Sequence, residues 1–568
     1  MSETYKNGII RSLLLLFFIF ETVRSAVYID TKLGHIKGTK GTSRDGKKFN
    51  IFLKIPYAQP PLGKLRFRNP APVQPWNGTL DGTIHPPLCP QLLPVALLGD
   101  EDCLYLNVYT PSVEKDAKLP VLIWIHPGRR LFGDALPSHY GPEYFMDKPM
   151  IIITANYRLG GLGFFSTEDE AASGNWGLKD QSAILKWTRN YISDFGGDPT
   201  NITLCGESSS AVDVALHLHS TLSRGQFDKG ISQSGHPMNF RTILPKGVSV
   251  SRAWALARMT HCHNETVKTS EDLVECLRTI PAHEIVLKTY FLSYDYVLPH
   301  SVFGPVIEEK SAGAFLTSHP IQDHSKITNK VPWLLGVTTD EGSQKTLGLY
   351  SRKIWWNHII GNYQRIFPEL FSYEHLPNAT NITEILIEKY VGEKPLIEAF
   401  EEISKMFGFC TVHLGSIEAA INYGGPTYFY HFDHLHDVPY VRIYLYLLRM
   451  YAKKKTGVIH GEEIRGLFYQ PYLFPPVVKG PDRYVSDNLI NFWYNFAAFS
   501  NPNGPRKGEQ VWKPVRTKNL EYLYISGQDI SMKSNPFWEE YHYWKNLSMP
   551  PLLTSRMLND RKILSVFM

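Results

Sequence analysis

Cysteine is scarce in this chain, with 6 in 568 residues, and no spacing among them suggests a metal-binding knuckle. Neither a metal nor an organic cofactor is therefore expected. One-sided charge is also lacking. Lys and Arg total 59 against 54 for Asp and Glu, a formal net charge of +5, and no basic cluster stands out. A nucleic-acid partner is not expected from such a balance. The chain has no internal repeat, no low-complexity linker and no apolar run near the ~20 residues that a membrane span needs. Hydrophobic residues make up 43% and charged residues 20%, which excludes a disordered, collagenous or coiled-coil chain. At ~150 residues per domain the length suggests about four units, a soft prior only.

What is present begins with compartment signals. Lys6 and Arg11 precede the apolar run Leu13 to Phe20, and small residues follow at Val23 and Ser25. A basic start, a short apolar core and small residues before a cleavage point describe a secretory signal peptide over residues 1–25. An uncleaved membrane anchor is the less favoured alternative. Removal of that segment leaves a net charge of +4. The residues 564–568 are neither a retention signal nor a lipid-anchor tail. Asn77, Asn264, Asn378, Asn381 and Asn546 each open a glycosylation sequon, and Asn201 opens a sixth that lies too close to an expected strand to be safe. These features predict a secreted, extracellular glycoprotein.

Short apolar runs alternate with amphipathic stretches. Residues 121–126, 150–157, 201–205, 332–337, 427–432 and 522–525 read as strands buried on both faces, with helices over 180–191, 210–220 and 484–499. Strands alternating with helices predict an α/β fold with a large, mostly parallel central sheet and helices on both faces. No boundary is visible after the signal peptide, so residues 26–568 are expected to form a single domain.

The chemistry centres on Gly206-Glu-Ser-Ser-Ser210. An apolar strand leads in and a helix pattern leads out. That is the context of a nucleophile elbow, in which a sharp turn presents the serine at the sheet edge. Ser210 stands where such an elbow usually has its second glycine. The bland alternative is a Ser-rich helix start that merely caps backbone donors.

Wider motifs favour the elbow. The segment Phe195 to Ser208 resembles the nucleophile signature of the type-B carboxylesterase/cholinesterase family, and Glu101 to Pro111 resembles its second signature. Further matches are Ile55-Pro-Tyr-Ala58, Asn156-Tyr-Arg-Leu-Gly160, Gly174 to Gln181 and Ser232-Gln-Ser-Gly235, so the resemblance runs from about residue 27 to about 545. It is similar above all to secreted insect-type esterases. It implies an α/β-hydrolase fold and a Ser–Glu–His triad whose members match Ser208, Glu341 and His460, in the chain order this fold uses. A serine hydroxyl needs a base to take its proton, and that base needs an acid to orient it. The resemblance also implies disulfides Cys89–Cys103 and Cys262–Cys276, a buried Arg66–Glu101 ion pair, and supporting roles for Glu207 and Ser234. Cys205 and Cys410 are left as buried free thiols. The substrate is then a small-molecule ester; the oligomeric state is left open.

One departure stands out. The family's oxyanion-hole segment is His-Gly-Gly-Gly-Phe, whereas here it reads His126-Pro-Gly-Arg-Arg130. By position the donors are the N–H groups of Gly128, Arg129 and Ser209. A side chain at 129 resists the positive φ that glycine adopts freely. Arg129 could enter the acyl site or offer charge to an acidic substrate; alternatively the loop relaxes and both arginines reach solvent. Two functions follow: a secreted carboxylic-ester hydrolase working through an acyl-enzyme, or a weak or inactive esterase-like binding or adhesion protein. An acetylcholine-specific enzyme is not expected, because no Trp lies between Cys89 and Cys103 to stack on a quaternary ammonium.

Overall fold

The computed structural model describes residues 25–547, apart from 94–95, 238–241, 293–301, 321–326, 351–352, 372, 374–375, 377, 441, 443–456, 506–510, 517–518 and 528. The expected signal peptide, save Ser25, and the C-terminal residues 564–568 lie outside the described residues.

The strands are β1 (Ala26–Thr31), β2 (Gly34–Thr42), β3 (Lys48–Pro56), β4 (Thr79–Asp81), β5 (Gln91–Leu93), β6 (Ala96–Leu98), β7 (Tyr105–Thr110) and β8 (Leu119–Ile125). They continue with β9 (Ile151–Ala155), β10 (Gly197–Glu207), β11 (Lys229–Gln233), β12 (Trp333–Thr338), β13 (Thr427–Phe432), β14 (Glu521–Ser526) and β15 (Asp529–Ser534). One large sheet runs β1-β2-β3-β7-β9-β8-β10-β11-β12-β13-β14-β15, with β4 beside β2, while β5 and β6 form a separate hairpin. From β9 through β14 every neighbouring pair is parallel; the flanks are antiparallel except for β4, which runs parallel to β2. The expected central strands all form, shifted by a few residues at their ends.

Their continuous apolar runs follow from burial on both faces. On β8, Val121, Ile123 and Ile125 enter one hydrophobic core and Leu122 and Trp124 enter the other. This alternation is the two-residue period of a strand, applied to a sheet with no wet face. The expected helices form over Trp176–Tyr191, Ser209–His219 and Gly480–Phe499.

Register sets the site. Gly206 pairs with Ile125 on one side, Glu207 pairs with Gln233 on the other, and Gln233 pairs with Gly336. The carboxyl ends of β8, β10, β11 and β12 therefore line up, which is where open parallel sheets carry their sites. Motifs that carry the family resemblance hold this frame. Arg158 Nε donates to Asp180 at 2.8 Å, joining two of them, and Arg66 Nε donates to Glu101 at 2.7 Å. Disulfides join Cys89 to Cys103 and Cys262 to Cys276. Cys205 is a buried free thiol as expected, but Cys410 is only half-buried, because it lies on a short helical turn at the rim of the core. The five favoured sequon asparagines are exposed, whereas Asn201 lies within β10 and its side-chain amide donates to the Ala498 carbonyl at 3.2 Å.

Candidate active site

The nucleophile candidate sits where the elbow reading puts it. Strand β10 ends at Glu207, the helix starts at Ser209, and Ser208 between them has φ 58° and ψ −123°. That conformation is unusual for a residue with a side chain and is kept by its surroundings. Ser208 N–H donates to the Gln233 carbonyl at 2.8 Å. Two neighbours must lack a side chain. A Cβ on Gly206 would stand 2.6 Å from the Ser210 carbonyl oxygen, and one on Gly235 would stand 2.3 Å from that of Ser208.

Ser210 does not merely cap the helix. It is fully buried, and its Oγ donates to the His126 carbonyl at 2.5 Å. The Tyr157 hydroxyl donates to the same carbonyl at 3.1 Å, and its ring stacks on His126. The residue replacing a glycine thus ties the nucleophile helix to the start of the oxyanion loop.

Glu341 follows β12 by three residues, and His460 reaches it from far along the chain. Asp340 N–H donates to the Val458 carbonyl at 2.8 Å, in a parallel bridge that pairs Asp340 with Ile459. This bridge sets Glu341 and His460 side by side. His460 Nδ1 donates to Glu341 Oε2 at 2.5 Å, and Thr338 N–H donates to Glu341 Oε1 at 2.8 Å. Burial alone would raise the Glu341 carboxyl. The charge and hydrogen bond of His460 outweigh it, helped by His413 and the Ser234 hydroxyl, and the carboxyl lies below its usual range.

Two further carboxyl groups act on the imidazole, Glu207 by contact and Glu463 by its charge. Glu207 Oε1 lies 3.1 Å from His460 Nε2. Glu463 is fully buried and accepts from the Tyr430 hydroxyl at 2.9 Å. Burial pushes Glu207 up to about 8 against the pull of His460, and burial with the charge of Glu341 pushes Glu463 up to about 7. For His460, burial favours the neutral ring, but Glu207 and Glu341 outweigh it and raise its pKa to about 9. The neighbouring carboxyl groups favour the protonated ring. Glu207 is thus a direct partner of His460, and Ser234, on a positive φ of 55°, stands beside Glu341. Glu463 lay in view three residues after His460, but nothing local marks it as facing the ring.

The oxyanion loop keeps a glycine-like path in spite of its arginines. Gly128 has φ 122°, Arg129 57° and Arg130 59°. A Cβ on Gly128 would lie 1.9 Å from the Phe132 carbonyl oxygen, so only glycine fits there. The next two positions are in the left-handed helical region, open to L-residues at roughly 1–2 kcal/mol each. The alternative in which both arginines reach solvent is corrected: Arg130 is buried, drawn in by Asp213, and its Nε donates to that carboxylate at 2.7 Å. Arg129 is half-buried. Ser209, at the first helical position, has an N–H with no acceptor within its own helix. The loop's far end is propped by Gln91, between the cysteines of the first disulfide, whose Oε1 accepts from Gly133 N–H at 2.9 Å. Among the described residues no cluster of three or more His, Cys, Asp or Glu could hold a metal ion.

The parallel sheet, the strand–turn–helix at residue 208 and the Glu341–His460 pair delivered by later loops define an α/β-hydrolase. A sequence model of the carboxylesterase family matches residues 25–544, and the chain belongs to that family. The juvenile hormone esterase of Tribolium castaneum is 33% identical, over 88% of each chain. A carboxylic ester hydrolase of Bombus ignitus is 30% identical, over 94% of this chain and 97% of its own. The solved structure of juvenile hormone esterase from Manduca sexta, with OTFP covalently attached, superposes with a TM-score of 0.79 at 26% identity, covering 92% of this chain and 99% of that one. The protein is a serine carboxylesterase acting on carboxylic esters.

Proposed function

We propose that Ser208, Glu341 and His460 are the catalytic set of a secreted carboxylic-ester hydrolase working through an acyl-enzyme. The observation that carries this reading is the 2.5 Å bond between His460 Nδ1 and Glu341, made beside the strained turn that presents Ser208. His460 in its neutral form takes the Ser208 proton as Oγ attacks the ester carbonyl. The resulting imidazolium, steadied by Glu341, protonates the departing alcohol. Water then enters, His460 takes its proton as the water oxygen attacks the acyl carbon, and the imidazolium returns that proton to Ser208 Oγ as the Ser208–acyl bond breaks and the acid leaves. The N–H groups of Gly128, Arg129 and Ser209 receive the oxyanion.

Residues 1–25 serve as the signal peptide, residues 26–568 act as one catalytic domain, and the exposed Asn77, Asn264, Asn378, Asn381 and Asn546 carry glycans. No helix among the described residues is long and apolar enough to cross a membrane.

The test is to express the chain with its own leader and assay a short-chain nitrophenyl ester, with Ser208→Ala as control. An organophosphate should add mass to the Ser208 peptide. Well-folded protein that neither turns over the ester nor takes the label at Ser208 would reject the triad assignment.

A further inference from the structure

Arg130 and Asp213 form a buried ion pair that the reaction as derived above does not use. Arg130 Nε donates to Asp213 Oδ1 at 2.7 Å and its terminal nitrogen lies 2.6 Å from the same oxygen. That terminal nitrogen also reaches the Ser209 carbonyl, at 3.4 Å. Asp213 stands four residues after Ser209, one turn along the nucleophile helix, so the guanidinium spans that helix's first turn. The second carboxylate oxygen cannot swing away, because Gln181 Nε2 donates to it at 2.8 Å. The two side chains are 9% and 1% exposed.

The pair completes a pattern. The loop begins at His126, whose carbonyl is bonded to Ser210, and the Arg129–Arg130 step ends at the guanidinium bonded to Asp213. Gly128 and Arg129 lie between these two ties, and both ties land on the first turn and a half of one helix. On the opposite side, Gly160 N–H donates to the Arg130 carbonyl at 2.7 Å. L-residues left to themselves return to negative φ, and a left-handed pair persists only where its surroundings over-determine it.

We propose that Arg130 and Asp213 are positioning residues for ester hydrolysis: their ion pair clamps the Gly128–Arg129 loop to the nucleophile helix, so that the loop N–H groups and that of Ser209 face one oxygen. This rests on the reading of those N–H groups as the oxyanion donors. Neither side chain touches the substrate. The clamp does for this loop what a run of glycines does by having no preference to overcome.

The experiment compares the parent with Arg130→Met, Asp213→Asn and the double variant Arg130→Met/Asp213→Leu. The readouts are kcat and KM for a short-chain nitrophenyl ester, affinity for a trifluoromethyl ketone, which forms a tetrahedral oxyanion on a serine, and thermal melting. Arg130→Met strands a buried carboxylate and should melt early. The double variant removes both charges and should recover much of that melting temperature. Its kcat should stay about 100-fold below the parent, the scale of one lost oxyanion donor, with KM changed less than about threefold and the ketone weakened in step with kcat. Asp213→Asn keeps the shape and should show the same split at about tenfold. Parent-level kcat and ketone affinity in Asp213→Asn and in the double variant would overturn the proposal and leave the pair as packing. A parent that itself neither turns over ester nor labels at Ser208 is the separate failure of the triad reading, and takes the clamp with it.

Discussion

His460 Nε2 lies 3.1 Å from Glu207 Oε1, so the nitrogen proposed to receive the serine proton rests against a carboxyl group. The ring is useful as a base only when neutral, and its pKa of about 9 places that form on the alkaline side. The kcat/KM profile should therefore rise through neutrality toward a limb near pH 9. Glu207→Gln removes the largest influence that raises the ring's pKa, so its limb should move to lower pH. A pH titration of nitrophenyl ester hydrolysis measures both. An unmoved limb, or one displaced upward, would show that Glu207 does not govern the base.

Stability should peak close to pH 6.5. His217, His236, His319, His431 and His436 are buried, and burial lowers them to about 3 or 4. The native state binds fewer protons at these rings than the unfolded chain does, so stability rises with pH up to the ordinary histidine value. Glu207, Glu462 and Glu463 are raised to about 8, 8 and 7, and His460 to about 9. There the native state binds more protons, so stability falls as pH rises through those values. Below pH 6.5 the five histidines outnumber the three glutamates; above it the falling contributions of the three glutamates and His460 outnumber the rising one of Lys229, which burial lowers to about 8. Melting temperatures from pH 4.5 to 9 check the shape, and a steady rise to pH 9 would contradict it.

Gly128→Ala should cost about 10²–10³ in kcat, because a Cβ collides with the Phe132 carbonyl and φ 122° lies outside what alanine adopts, which displaces a donor. Organophosphate labelling should slow by a similar factor, since it passes through the same kind of oxyanion. Labelling at the parent rate would place the oxyanion site elsewhere.

Removing the first disulfide as Cys89→Ser/Cys103→Ser should lower stability by about 3 kcal/mol, the scale for a closed loop of this length. It should also reduce kcat, because Gln91 in that loop holds both the N–H and the carbonyl of Gly133. Denaturant melting and ester turnover report the two effects. The matching loss of Cys262–Cys276, whose loop supplies no such prop, should lower stability alone.

Much of this could be read in the sequence. The strands around residues 121, 151, 202, 334 and 428 announce themselves as unbroken apolar runs, because both their faces are covered. The elbow at Ser208 was legible for a local reason: a tight strand-to-helix turn demands small residues at fixed offsets. The Asn156–Gly160 and Gly174–Gln181 motifs were legible as motifs but not as what they are, the two halves of the buried Arg158–Asp180 pair. Asp213 carried no signal, since an acidic residue on a helix usually faces water, and Glu463 stood in the motif around His460 without a sign of its burial. The burial of Arg130 could not be chosen from the sequence, because its partner lies 83 residues away.

The sequence by itself determined the alternating elements, the sharp turn at Ser208 and the order in which the reactive residues appear. These rest on periodicity and turn chemistry that act within about ten residues. Only the tertiary structure decided which carboxylates crowd His460 and what holds the Gly128-Arg129-Arg130 loop on its left-handed path. The partners in those contacts are separated by up to 253 residues, as for Glu207 and His460. Strand register and the Asp340–Ile459 bridge bring them together, and a local sequence pattern cannot encode either.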